Sequence, residues 1–108
     1  MNKYEYMEML HILDDYYRKV VVITWLNGLK VKCNIFLGMA ESSTELGDED
    51  YIGEYYTIVN EVEVLENGRD DSISIDENNG IEINIFTIPK KIELEDGTVL
   101  WEAKETQQ

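Results

Sequence analysis

The sequence predicts a mainly β protein with one N-terminal α-helix, closed into a small antiparallel barrel of about five or six strands. Apolar residues recur at helical spacing only near the N-terminus. From Val20 onward they alternate with polar ones, and the alternation is punctuated by Asn27-Gly28, Asn67-Gly68, Asn79-Gly80 and Asp96-Gly97. Such pairs are turn formers because Asn, Asp and Gly tolerate positive φ.

Asn2 and Glu5 have the spacing of a capping box, which opens the helix. Tyr6, Met9, Leu10, Leu13, Tyr16 and Tyr17 then form its apolar stripe, with Glu5, Glu8, Asp15 and Arg18 toward water. The spacing predicts a helix over 3–19, lying across a sheet or barrel.

Strands follow within 20–102. Val20 to Leu26 and Leu29 to Leu37 are predicted to form a hairpin about a two-residue type I′ turn at Asn27-Gly28. That register pairs Val20, Val22, Thr24 and Leu26 with Ile35, Cys33, Val31 and Leu29 on a core face. It leaves Trp25 and Ile23 outside, beside Lys30 and Lys32. Met39 to Asp50 has no period and is expected to be a mobile loop. Further strands are expected at Tyr55 to Leu65, Ser72 to Asp76, Ile81 to Phe86, Ile92 to Leu94 and Thr98 to Glu102, with a frayed end from Ala103.

A chain of 108 residues has room for one domain, here 1–108, burying about 60 to 70% of its unfolded surface. Its longest apolar run, Val20 to Ile23, is far below the roughly 20 residues that span a bilayer, and no signal-peptide h-region opens the chain. A soluble cytoplasmic protein without membrane contact is expected. The single cysteine, Cys33, is in phase with Val31 and Ile35 and reads as a core residue.

Charge is the outstanding compositional fact. Twenty-three acidic residues against nine basic ones give a net of -14, and residues 41–82 hold fourteen acidic groups against one basic. Such a field repels nucleic acid and favours basic partners, or else serves solubility.

Val22 to Gly28 with Val31 and Ile35, Tyr56 to Val62, and Ile85 to Leu94 together resemble the signatures of the Sm-like branch of SH3-type small barrels, over roughly Val20 to Leu94. The resemblance implies a five-stranded barrel that associates through open strand edges. The family's RNA-contacting Asp and Asn have no counterpart in Ala40-Glu41-Ser42-Ser43, and Thr87-Ile88-Pro89-Lys90-Lys91 replaces its RNA-binding turn. No RNA-site residue carries over.

Catalytic patterns are absent: no G-x-G-x-x-G, P-loop, G-x-S-x-G or C-x-x-C occurs, and His11 is the only histidine. The acids at Asp48 and Asp50 with Gly53 start like a calcium loop, but Ile52 and Val59 stand where oxygen ligands are needed. No cofactor, no metal and no enzymatic activity are expected.

The leading expectation is therefore a non-enzymatic module that works by protein-protein contact, with self-association open to it. Trp25, Lys30, Lys32, Trp101 and the helix tyrosines are its candidate partner-binding residues. The alternative is an acidic inhibitor or nucleic-acid mimic, of the kind phages use against DNA-binding enzymes or bacteria use as toxin immunity proteins. In that reading Asp48, Glu49, Asp50, Glu54, Asp70, Asp71, Asp76 and Glu77 stand in for phosphates. RNA binding, by stacking on Trp25 beside the two lysines, is the least favoured reading.

Overall fold

The computed structural model describes residues 3–104. Helix α1 (Lys3–Asp15) precedes six strands: β1 (Val20–Thr24), β2 (Lys30–Glu41), β3 (Tyr55–Glu66), β4 (Ile81–Ile83), β5 (Lys91–Glu93) and β6 (Val99–Glu102). They form one antiparallel sheet in the order β4-β3-β2-β1-β5-β6. Among the described residues no ladder joins β4 to β6, so the sheet is open. The mainly β class with one helix holds, while closure into a barrel is not shown. The capping role expected of Asn2 lies outside the described residues, as does the chain from 105 onward. No described helix is long and apolar enough to cross a membrane.

The apolar stripe of α1 packs on one face of the sheet, chiefly on β2, with β3 and β6 also in contact. Tyr6, Met9, Leu10 and Leu13 are buried there against Val21, Ile23, Val31, Ile35, Val59 and Ile92. The helix stops at Asp15, short of the expected Lys19, because the backbone is captured by the sheet. Arg18 turns into the left-handed region (φ 66°). Its N–H donates to Ile35 O at 2.8 Å, and Ile35 N returns a bond to Lys19 O at 3.1 Å.

The first hairpin departs from the expected register by one residue. Trp25 N donates to Leu29 O (2.9 Å) and Gly28 N to Trp25 O (3.0 Å), so the loop has three residues, Leu26-Asn27-Gly28. Gly28 alone of the Asn-Gly pair takes a positive φ (95°). This is a type I turn followed by a glycine bulge in place of type I′. Because side chains alternate with period two, the slip exchanges the faces of β1. Val21, Ile23 and Trp25 are buried with Val31 and Cys33, whereas Leu26, expected in the core, is 76% exposed. Lys30 and Lys32 stay outside, opposite Thr24 and Val22.

The β2–β3 ribbon is the longest element pair, and register shifts along it mark bulges that curve it. At one of them Glu61 takes a positive φ (52°) and accepts a hydrogen bond from Asn34 Nδ2 at 2.9 Å. The strand expected at Ser72 to Asp76 does not form; the segment is organised by side-chain bonds from Asp70 and Asp76. The strand expected to reach Phe86 ends at Ile83, because Asn84 offers the backbone another partner. Its Oδ1 accepts from Phe86 N (2.8 Å), and Thr87 Oγ1 accepts from Asn84 N (2.9 Å). Ala103, expected in the frayed end, is tied by its N–H to Lys90 O at 2.8 Å.

Candidate functional site

The register change separates Trp25 from the two lysines that the sequence placed beside it on the first hairpin. Trp25 is 2% exposed, and its indole N–H donates to Thr87 O at 2.8 Å. Trp101 is also buried, opposite Ile92 in the β5–β6 pair. Both indoles are almost closed to solvent, and Trp25 lines only a small depression. Lys30 and Lys32 lie across the sheet from Trp25 and face carboxylates. Lys30 Nζ is 4.0 Å from Glu66, and Lys32 Nζ is 2.9 Å from Glu95. The bond and charge of Glu95 raise the Lys32 pKa, so that ammonium stays charged and locally balanced.

All eight residues of the candidate acidic surface are exposed, but the fold divides them between different regions. Asp48, Glu49, Asp50 and Glu54 sit in the loop 42–54, at the ribbon end where Glu41 faces Tyr55. Asp70 and Asp71 lie beyond the other end, where Lys30 faces Glu66. Asp76 and Glu77 belong to a turn closed on β3 by bonds between Asn79 and Val62.

Several of these carboxylates cap turns. Asp48 Oδ2 accepts from Glu45 N, and Asp76 Oδ1 accepts from Asn78 N and Gly80 N. Asp70 Oδ1 accepts from Ser72 Oγ, Asn27 Nδ2 and Ser72 N, which pull its pKa down to about 2. Turn chemistry therefore accounts for three of the eight, Asp48, Asp70 and Asp76.

What the fold does assemble is an apolar groove of about 610 Å³ between the start of α1, the loop 42–54 and the turn after β4. Met7, Leu46, Tyr51, Tyr55, Ile85 and Ile88 line it, with Glu45 and Glu54 among them. The Tyr6 hydroxyl donates to Tyr55 O at 2.7 Å and ties the helix to the base of the loop. Burial, then the nearby Glu82 and Tyr51, push the Tyr6 phenol above its ordinary value and keep it a donor.

The loop is shaped from within. Thr44 Oγ1 accepts from Ile52 N (3.1 Å), Ser42 N donates to Glu54 O (2.8 Å), and Ile85 N donates to Ile52 O (3.3 Å). Gly53 has φ 103°, and a Cβ there would lie 2.8 Å from Ile85 Cγ2.

On the far side of the turn 84–88 lies a smaller depression, about 170 Å³, bordered by Leu26, Ile73, Phe86 and Ile88. Ile88 belongs to both. Leu46, Leu26 and Phe86 are 86%, 76% and 72% exposed. Leu26 and Phe86 meet at the smaller depression and Leu46 lines the groove, and since they come from three separate loops no sequence period announces either place.

His11 is exposed on α1, and burial pushes the Cys33 thiol up to about 12, so it presents no thiolate. Among the described residues no group of His, Cys, Asp and Glu is arranged to hold a metal ion.

A family model described as "Cognate immunity protein YxxD" matches residues 4–105. The chain belongs to that family. Comparison with curated proteins and with solved structures gave no match. The YxxD match takes in every strand and nearly all of α1, so the groove and the depression beside it lie within the family's domain.

Proposed function

We propose that this chain is an immunity protein that neutralises a cognate toxin by binding it, with no chemistry of its own. Family membership over residues 4–105 carries the reading. The exposed apolar side chains of Leu46 at the groove, and of Leu26 and Phe86 at the smaller depression, supply contact area that resists dissociation. The net charge of -14 speeds encounter with a basic toxin surface. The expected interaction module and the expected acidic inhibitor thus become two aspects of one binding role. A relationship to the Sm-like barrels remains a proposal about the fold, resting on Val20 to Leu94, and brings no RNA function with it.

The test is co-expression with candidate cognate toxins, each in a host that the toxin alone arrests. Restored growth and a toxin complex in size-exclusion chromatography are expected. Continued arrest, with the chain soluble and at least equimolar, would remove the reading.

A further inference from the structure

The geometry points to the groove between α1, the loop 42–54 and the turn after β4 as the seat of one element of the partner: a short apolar segment flanked by lysine or arginine. This inference rests on the toxin-binding reading and adds to it which surface binds and what chemistry it selects.

The occupant follows from the lining. Met7, Leu46, Ile85 and Ile88 give apolar walls, and the volume exceeds what a single side chain fills. Leu46 stands at the rim, 86% exposed, where it gains contact only from something broader than the groove itself. A protein surface satisfies that, whereas a small ligand would leave the rim in water. Glu45 and Glu54 line the same groove, and none of its lining residues is basic. Glu82 lies close enough to act on the Tyr6 phenol, and Asp48 caps the loop from which Leu46 projects.

Charge complementarity then decides between partners. A second copy of this chain would bring its own net -14 against these carboxylates, and a nucleic acid would bring phosphates. A segment with leucine-sized side chains between cationic ones satisfies both the walls and the rim. Its cations meet Glu45 and the acidic field around the groove at the partly solvated edge, where they set orientation and encounter rate, and its apolar side chains are buried in the centre.

The probe is a short blocked peptide of alternating leucine and arginine, compared with its leucine-glutamate counterpart, followed by methyl NMR of the folded chain. The basic peptide is expected to shift the Leu46, Ile85 and Ile88 methyl signals and leave Val64, on the far part of β3, in place. The acidic peptide should shift none of them, and Leu46→Arg should abolish the effect without changing the circular dichroism of this exposed position. In the toxin complex, Leu46→Arg should weaken affinity at least about tenfold, against no more than about twofold for Val64→Arg. Equal shifts at Val64, no shifts at all, or wild-type affinity of the Leu46→Arg variant for the toxin would overturn the assignment. If the wild-type chain fails to bind toxin while the peptide still fills the groove, the immunity reading falls and the groove assignment stands.

Discussion

Asn27 Nδ2 donates to Asp70 Oδ1 at 3.0 Å, joining the loop of the first hairpin to a segment 43 positions further along the chain. The same amide reaches Ser72 Oγ at 3.3 Å, Asn27 Oδ1 accepts from Leu29 N at 3.0 Å, and Asn27 O accepts from Arg69 N at 2.8 Å. Arg69 in turn donates through Nη2 to Leu26 O at 2.6 Å. This lattice holds the irregular segment 67–73 without a strand ladder. It also explains the turn: an Asn27 whose two side-chain groups are used in this way suits the three-residue loop, and that loop sets the register of β1.

Replacing Asn27 by alanine is therefore expected to cost about 1–3 kcal/mol, since Asn27 is buried and its loss leaves Leu29 N without its acceptor. The urea midpoint should fall accordingly. No change would mean that the lattice does not hold the loop.

The Asp70 contact also predicts a pH dependence. Its pKa is lowered in the folded chain to about 2 from 3.8. Stability from the carboxylate is thus fully present above the unfolded value and is lost as pH falls toward 2. Wild type should exceed Asp70→Asn in urea midpoint at neutral pH, with the gap narrowing from about pH 4 and closing near pH 2. A gap that persists at the lowest pH would show that another feature of the substitution is being measured.

Trp25 provides a test of the register. In the core, Trp25→Ala should cost about 3–5 kcal/mol, and Trp25→Phe about 1 kcal/mol through the lost bond to Thr87 O. Emission from the native chain should be blue-shifted and move to the red on unfolding, because Trp25 and Trp101 are both buried. A surface-like response of Trp25→Ala would restore the two-residue turn.

Gly38 is expected to resist even alanine. A Cβ there would strike Asp14 Oδ1, which accepts a hydrogen bond from Met39 N at 3.1 Å, and would lie 3.3 Å from Asp14 Cα. Asp14 would have to swing its carboxylate away and give up the Met39 bond, and α1 would have to yield slightly, at a cost of about 1–3 kcal/mol. Gly97→Ala, with open space around the site but a φ of 94°, separates backbone strain from this close approach. A Gly38→Ala protein as stable as wild type would show that α1 is free to shift.

No binding to single-stranded RNA is expected at physiological salt, since Lys30 and Lys32 face Glu66 and Glu95 and no indole is exposed beside them. Fluorescence anisotropy with a labelled oligonucleotide checks this. Binding that is lost in Lys30→Glu and Lys32→Glu would contradict it.

The sequence by itself determined the elements whose signal is periodic. Tyr6, Met9, Leu10 and Leu13 announced the buried face of α1. Val31, Cys33 and Ile35 announced the core side of β2, and Tyr55 to Leu65 announced a strand. These positions are fixed by local spacing, because a helix or a strand must turn its apolar residues one way. Tertiary structure decided what local spacing leaves degenerate. Asn27-Gly28 is compatible with a loop of two residues or three, and the choice fell to Asp70, Ser72 and Arg69, far along the chain. That choice moved Trp25 from the surface to the core and parted it from Lys30 and Lys32. The groove depends on the same kind of distant agreement, since Met7, Leu46 and Ile88 become neighbours only when α1 is seated on the sheet and Tyr6 is bonded to Tyr55. Periodicity reports which way a side chain points within its own element; which loops meet is settled by packing between elements, and this chain's candidate binding surface is made of loops.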